Sequence, residues 1–459
     1  MKENAKRNDL TTGKEWKVIL LFTLPIMAGY LLQQLYSIVD GVIVGNFVSE
    51  AAFAAVATCQ PLTALYLALA VGLSVGVGVV ISQYYGAEKK DKLPVAIDTA
   101  IILLGVCGLS LTLFGVILSP FLLKNVLNVP DDILTDAITY IRIYSVGLLF
   151  QFLYNGIAAT LRSFGDSKAT LYFLLIAAVL STVLTFAFIL LVKWGVAGAA
   201  FSTVLAQFVC VIVSFIYLRT RFPHEKASRR WDREIAGTMI KLGLPIAVQM
   251  GVVSFGNGAM QRLVNGFEGT APGVIAAYGA AVRLDMFIYV PITGFQSGLA
   301  SFTGQNIGAG RLDRVRRGFV YTIIMSMSVT LLVTACVNIF AVPIVTMFGL
   351  TGNALLIGVE RITFMTLFFW MFSGYMTLGG LLQGAGDTVL QSVATLSALV
   401  LQVTTGYLTV HLGLLGYTAA WITTPFGWGL AIIITYTRYF TGGWKKKAVA
   451  GKLSAGGNS

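Results

Sequence analysis

Apolar residues along this chain come in long runs separated by short polar breaks. A membrane-spanning helix needs roughly 20 consecutive apolar residues. Twelve runs meet that requirement, near residues 18–43, 53–82, 95–123, 134–159, 169–192, 196–218, 237–265, 273–303, 318–342, 354–382, 389–411 and 414–438. Spanning β-strands would instead alternate in polarity over about ten residues, and these runs do not alternate. The pattern predicts an all-α polytopic membrane protein.

The runs follow one plan twice. Leu24-Pro25-Ile26 returns as Leu244-Pro245-Ile246, and Gln83-Tyr84-Tyr85-Gly86-Ala87 as Gln305-Asn306-Ile307-Gly308-Ala309. Leu161-Arg162-Ser163-Phe164-Gly165-Asp166 returns as Leu382-Gln383-Gly384-Ala385-Gly386-Asp387, and Gly195-Val196-Ala197-Gly198 as Gly413-Leu414-Leu415-Gly416. The offsets are 220, 222, 221 and 218 residues. Six spans per half is an even number, so both halves enter the membrane from the same side. The expected architecture is twelve transmembrane helices in two six-helix lobes, related by a pseudo-twofold axis along the membrane normal. The segments are then an N-terminal stretch (1–17), a first lobe (18–218), a basic linker (219–236), a second lobe (237–440) and a tail (441–459).

Composition agrees with a membrane location. Hydrophobic residues make up 56% of the chain, charged residues 11%, and the mean hydropathy is +0.81. The basic N-terminus leads into an apolar run longer than a signal-peptide core, with no small-residue cleavage site, so an uncleaved first helix is expected. The net charge of +12 would fit a nucleic-acid partner, but its distribution argues against one. With the N-terminus inside, 26 of the 32 Lys and Arg fall in cytoplasmic segments. Only Lys124 and Lys193 lie in outer loops, and Arg142, Arg262, Arg283 and Arg361 lie within spans. This is the positive-inside bias. It places both termini in the cytoplasm of a multi-pass plasma-membrane protein and sets the Arg219–Arg233 linker and Lys445–Lys447 beside anionic lipid. The lipid bilayer and small molecules are the expected partners. No dimer motif beyond packing glycines stands out, and a monomer is expected.

An ionisable group inside a span is costly and marks a functional hypothesis. Asp40 is the clearest case. Gln33, Tyr36, Ser37 and Asp40 fall at i, i+3, i+4 and i+7 on one face of the first helix. Such a stripe faces a partner helix or a water-filled cavity. Burial resists ionisation of a carboxylate, which suits a proton carrier, while a carboxylate among neutral oxygens also suits Na⁺. Ser181 and Thr185 lie one turn apart in the fifth span, Thr203 lies in the sixth, and Asn155 in the fourth needs a polar partner for its amide. At the repeat offset Asp40 falls on Met260, so the acid is not duplicated. The second half offers Arg262, Arg283 and Asp285 instead. Arg283 and Asp285 point to different faces, and Arg262 is the expected partner of Asp285, as an internal ion pair or a backup coupling site. Arg142 and Arg361, near span starts, are expected to snorkel outward.

Pro25, Pro61, Pro245 and Pro291 are expected to kink their helices, with Pro25 making the first helix a bending element. Gly72 and Gly76 recur as Gly294 and Gly298, small residues suited to close helix packing. Cys59, Cys107, Cys210 and Cys336 share no metal-ligand spacing and are read as packing residues. No Walker loop, His-x-x-x-His or nucleophile elbow appears, so neither an enzyme nor a cofactor is expected.

These residues resemble the MATE family (multidrug and toxic compound extrusion transporters) over nearly the whole chain. The marks are Leu35-Tyr36-Ser37-Ile38-Val39-Asp40, Gln305 with Gly308-Ala309-Gly310, Leu161-Arg162 leading to Gly165-Asp166, Gly195 to Ala200, and Gly243-Leu244-Pro245. The resemblance implies export of organic, often cationic compounds against inward H⁺ or Na⁺. In one branch the cation site is an Asp in the first helix, an Asn and an Asp in the fifth and a Thr in the sixth. Asp40 and Thr203 match, but Ser181 and Thr185 occupy the fifth-helix positions. The other branch uses a Glu in the seventh helix and an Asp in the tenth, where this chain has Val252-Val253-Ser254 and Met371-Phe372-Ser373. The reduced site suits a proton on Asp40 better than Na⁺. The expectation is H⁺-coupled multidrug efflux. Na⁺ coupling, uncoupled passage and flipping of a lipid-linked amphiphile are the alternatives.

Overall fold

The computed structural model describes residues 9–222 and 230–449. The side chains at positions 37, 38, 40–42, 44–46 and 50 lie outside the described residues. The fold is helical, with no strand among the described residues. The first lobe holds α1 (Glu15–Phe47), α2 (Glu50–Thr58), α3 (Gln60–Gly86), α4 (Lys92–Phe121), α5 (Asp131–Val146), α6 (Leu148–Ser163), α7 (Ser167–Phe186) and α8 (Gly195–Arg221). The second holds α9 (Arg233–Asn265), α10 (Val274–Gly308), α11 (Leu312–Ile339), α12 (Ala341–Thr346), α13 (Gly352–Thr366), α14 (Phe369–Ala385), α15 (Thr388–His411), α16 (Ala419–Ile422) and α17 (Thr424–Phe440).

Among the described residues ten helices are long and apolar enough to cross a membrane, and two bent pairs, each taken as one span, bring the count to twelve. The pairs are α5 with α6, bent by 43°, and α13 with α14, bent by 49°. They occupy equivalent places in the two lobes. The bends fall at Gly147 and at Leu367–Phe368 rather than at prolines. α1, α9 and α10 run unbroken through Pro25, Pro245 and Pro291, and Pro61 sits in the first turn of α3, where its missing N–H is not needed. At the first bend the Thr112 hydroxyl donates to the Ser145 carbonyl at 2.8 Å, and a side chain entering the backbone ladder is a recognised cause of bending. The expected span 53–82 divides at Cys59, leaving α2 as a separate short helix.

The helices are apolar outside and polar inside. On α7, Leu175, Ile176, Val179 and Val183 are exposed, while Ser181 and Thr185 are buried. A shallow recess of about 380 Å³ on that outer face is lined by Leu175, Ile176, Val179, Leu180 and Val183 alone. Such a surface is matched to lipid tails, and the polar side chains turn away from it. Cys59 and Cys210 are buried and donate to the Ala137 and Phe173 carbonyls. Cys336 is exposed, so it is not the packing residue expected.

The repeat is visible in backbone detail. Gly165 and Gly386 both adopt positive φ, 78° and 85°. Asp166 N–H donates to Leu161 O at 2.9 Å, and Asp387 N–H to Leu382 O at 2.8 Å. Both turns are Schellman caps, and the left-handed position favours glycine.

The lobes meet along two equivalent seams, α3 on α9 and α10 on α1. The glycine pairs line both. A Cβ on Gly72 would overlap the Ala247 backbone, and one on Gly76 the Met239 carbonyl; on Gly294 and Gly298 it would meet Met27 and the Thr23 hydroxyl. Nearer the basic end α3 and α10 cross: Gly86 leaves no room for a Cβ against the Gln305 carbonyl, nor Gly308 against that of Gln83.

Candidate functional site

The first-lobe candidates sit on α1, α6, α7 and α8. α1 packs along α7. Because α1 is continuous from Glu15 to Phe47, Gln33, Tyr36, Ser37 and Asp40 keep one face by backbone register. Gln33 and Tyr36 are half-buried; the side chains of Ser37 and Asp40 lie outside the described residues. Asn155 is half-buried and donates to Gln151 O, one turn back, at 2.8 Å. Its amide is thus engaged with its own helix, while the buried Gln151 Oε1 has no partner among the described residues.

On α7, Ser181 and Thr185 are 4% and 1% exposed. Thr185 Oγ1 lies 2.6 Å from Ser202 Oγ. Ser202 donates to Ala199 O at 2.8 Å. A hydroxyl has one hydrogen to give, so Thr185 is the donor of the pair. Thr203 is half-buried and back-bonds to Ala199 O at 3.3 Å. Ser202, not Thr203, is therefore the residue of α8 that meets α7. Neighbouring helical positions point about 100° apart, and only the register of α8 decides between them. The Gly195–Ala200 run was the signal, because small residues bring α8 close to its neighbour. Ser181 Oγ is buried and has no partner among the described residues.

The second-lobe candidates separate. Asp285 on α10 and Arg361 on α13 are each 4% exposed and paired, Nη2 to Oδ2 at 2.7 Å. The Arg361 guanidinium lies over the Tyr278 ring, 4.8 Å from its centre. This corrects two expectations. Arg262 and Arg283 are exposed and do not pair with Asp285, because α13 presents a buried guanidinium to that face of α10. Arg361 does not snorkel; it is held inside by the carboxylate and the ring. Arg142 is exposed. Among the described residues no three of His, Cys, Asp and Glu come together as a metal site.

Outside the spans, Glu268 accepts from Gly273 N at 2.7 Å and Ile275 N at 3.0 Å, at the start of α10. These backbone donors hold its carboxyl below the usual carboxylate range, the Ile275 bond first.

The MatE family model matches residues 25–187 and 245–408, one match in each lobe, beginning at the prolines that open the repeat. The probable multidrug resistance protein YpnP of Bacillus subtilis (strain 168) is 29% identical over 382 residues, covering 83% of this chain and 85% of that protein. The probable multidrug resistance protein YoeA of the same organism is 25% identical over 446 residues and covers 95% of each chain. A solved structure described as the outward-facing conformation of a multidrug resistance MATE family transporter of the MOP superfamily superposes with a TM-score of 0.88 at 24% identity, over 97% of this chain and 99% of that one. At that identity the likeness is one of fold.

Proposed function

This chain belongs to the MATE family of membrane transporters, and from that premise we propose that it is a multidrug exporter that exchanges organic compounds for protons, with Asp40 as the coupling acid. The basic end of the bundle faces the cytoplasm of a plasma-membrane protein in this reading, and the single chain alternates between two facings.

The observation that carries the reading is the Asp285–Arg361 pair. A carboxylate held 2.7 Å from a buried guanidinium is neutralised in place and poorly suited to load and release a proton. Asp40 has no Lys or Arg on its own helix beyond Lys17. Its helix packs on α7, whose inner face carries neutral hydroxyls only at the two positions concerned. One titratable group with few ligands is enough for a proton. Protonation shifts the balance between facings only by interacting differently with each.

A second reading, Na⁺ coupling, draws on the buried Ser181 oxygen, which has no partner among the described residues, and on the Thr185–Ser202 pair, since Na⁺ is a hard cation that favours oxygen ligands. The test is uphill accumulation of an organic cation in proteoliposomes, driven by a pH gradient without Na⁺ or by a Na⁺ gradient at equal pH. Accumulation only with the pH gradient supports the proposal. Accumulation only with Na⁺ supports the second reading. Equilibration without accumulation in both makes the chain an uncoupled passage.

A further inference from the structure

Gln83 and Gln305 are equivalent residues of the repeat, at the basic ends of α3 and α10, and both are fully buried. Gln83 Nε2 donates to the Gly384 carbonyl at 2.9 Å, and Gln305 Nε2 to the Ser163 carbonyl at 2.7 Å. Ser163 and Gly384 lie in the last turns of α6 and α14, and are themselves equivalent. Each glutamine therefore grips the end of the other lobe's bent pair.

The amide oxygens complete the symmetry. Gln83 Oε1 accepts from Val449 N at 2.7 Å, and Gln305 Oε1 from Leu10 N at 3.0 Å. Both donors belong to chain tails, and both tails cross the lobe boundary. Leu10, ahead of α1, is 3% exposed and packs with Phe302, Ile307 and Val315 of the second lobe. Arg311 and Arg314 extend that grip by donating to the carbonyls of Thr11, Thr12 and Gly13 at 2.7, 2.8 and 2.7 Å. Val449, beyond α17, is 6% exposed and packs in the first-lobe core with Tyr84, Leu161 and Phe164.

We propose that Gln83 and Gln305 are twin latches of the gate at the basic end, and that the two chain tails are their bolts. Among the described residues four hydrogen bonds meet at these two amides. Those to Gly384 and Ser163 break when the α3 and α6 ends separate from the α10 and α14 ends, and those to Leu10 and Val449 break as each tail is drawn away with the lobe it belongs to. Opening toward the basic side therefore unseats residues 10–13 and 448–449, and the tails set the balance between facings. A buried amide stripped of a partner is costly, which makes the latch cooperative: losing a bolt weakens the closed gate without touching the transport site. This inference rests on the two-facing transporter reading.

The test uses Ser82→Cys as reporter in a chain whose four native cysteines are replaced. Ser82 is 1% exposed, and its hydroxyl fills the space beside Gly304 of the other lobe. A membrane-impermeant maleimide is added from the basic side of oriented vesicles. Val449→Pro removes the donor N–H together with the isopropyl group, and the preceding Ala448 already has ψ of 126°, which a following proline tolerates. Val449→Ala keeps the N–H. Labelling roughly tenfold faster in Val449→Pro and in Gln83→Ala than in Val449→Ala is expected. Equal rates in the proline and alanine variants overturn the latch. Should a variant fail to fold, spin-label distances in the otherwise unaltered chain decide the matter. The pair Lys168–Lys446 reports the tail and the pair Lys90–Arg316 reports the gate. The two open populations are expected to be equal, and an open gate with a seated tail overturns the proposal. Neither readout needs a substrate. Intact export without a latch signal thus sinks the latch alone, and a latch signal without export sinks the exporter reading alone.

Discussion

At the turn after α6, Asp166 caps α7 through Ala169 N and accepts from the Tyr217 hydroxyl at 2.7 Å. At the equivalent turn after α14, Asp387 instead binds Arg438 Nε at 2.6 Å. Tyr217 and Arg438 occupy matching places on the last helix of each lobe. The acid and the left-handed glycine recur, but the partner changes from a neutral hydroxyl to a cation. The spans show the same divergence more strongly. The second lobe buries Asp285 against Arg361, while the first carries Asp40 on a helix with no cation beyond Lys17. What the repeat keeps is what the backbone demands, namely glycine where φ is positive or a neighbouring helix touches. What it lets go is charge. In the proposed exporter the two lobes divide labour, the second holding Asp285 in an ion pair and the first supplying Asp40 as the coupling acid.

The comparison breaks most visibly at the fixed charge. Arg361→Leu leaves Asp285 buried and unpaired, and is expected to destabilise the protein by about 3–5 kcal/mol. The double variant Asp285→Leu/Arg361→Leu is expected to recover most of that loss in detergent-solubilised thermal unfolding. A single variant no worse than the double would mean that the pair does not hold the second lobe.

The seams come next. Gly76→Ala drives a methyl into the Met239 carbonyl, whereas Gly298→Ala meets the Thr23 side chain. A backbone atom yields less than a hydroxyl rotor, so Gly76→Ala is expected to cost about 1–3 kcal/mol and Gly298→Ala less. Equal melting temperatures for the two would show the seams to be equally tight.

A smaller effect is expected within the first lobe. Thr185→Val and Ser202→Ala each remove one hydroxyl from the pair. In a double-mutant cycle their coupling is expected near 1 kcal/mol, while Thr203→Val shows none with Thr185→Val. Coupling to Thr203 instead would reverse the assignment on α8.

The smallest effect lies in the loop before α10. The folded-state pKa of Glu268 is lowered, so its contribution is present above the unfolded carboxylate range and is lost as pH falls through the folded value. Glu268→Gln is expected to leave stability at neutral pH nearly unchanged and to flatten the decline on acidification. An unchanged acid limb would show that the cap contributes nothing.

Much of this architecture was legible from runs and repeats, because a spanning helix leaves a length and lipid leaves an apolar face. The twelve spans, the paired lobes and the close-packing glycines Gly72, Gly76, Gly294 and Gly298 all follow from spacing along one chain. What escaped depends on contact between helices. The bends at Gly147 and at Leu367–Phe368 were hidden because proline is the visible bending signal, and neighbouring helices support Pro25, Pro245 and Pro291 without a break. Arg361 reaches Asp285 across 76 residues, and nothing in spacing prefers it to Arg262. Ser202 displaces Thr203 through helix register alone. The tails read as polar ends, yet Leu10 and Val449 are the apolar residues that seat them.

The division of labour is tested most directly by substrate-triggered proton flux in dye-loaded proteoliposomes without Na⁺, comparing the unaltered chain with Asp40→Asn and Asp285→Asn at matched folded amounts. The account predicts flux in the unaltered chain, none in Asp40→Asn, and flux retained in whatever fraction of Asp285→Asn folds. Flux that persists in Asp40→Asn and vanishes in folded Asp285→Asn would contradict it and move the coupling acid to the second lobe.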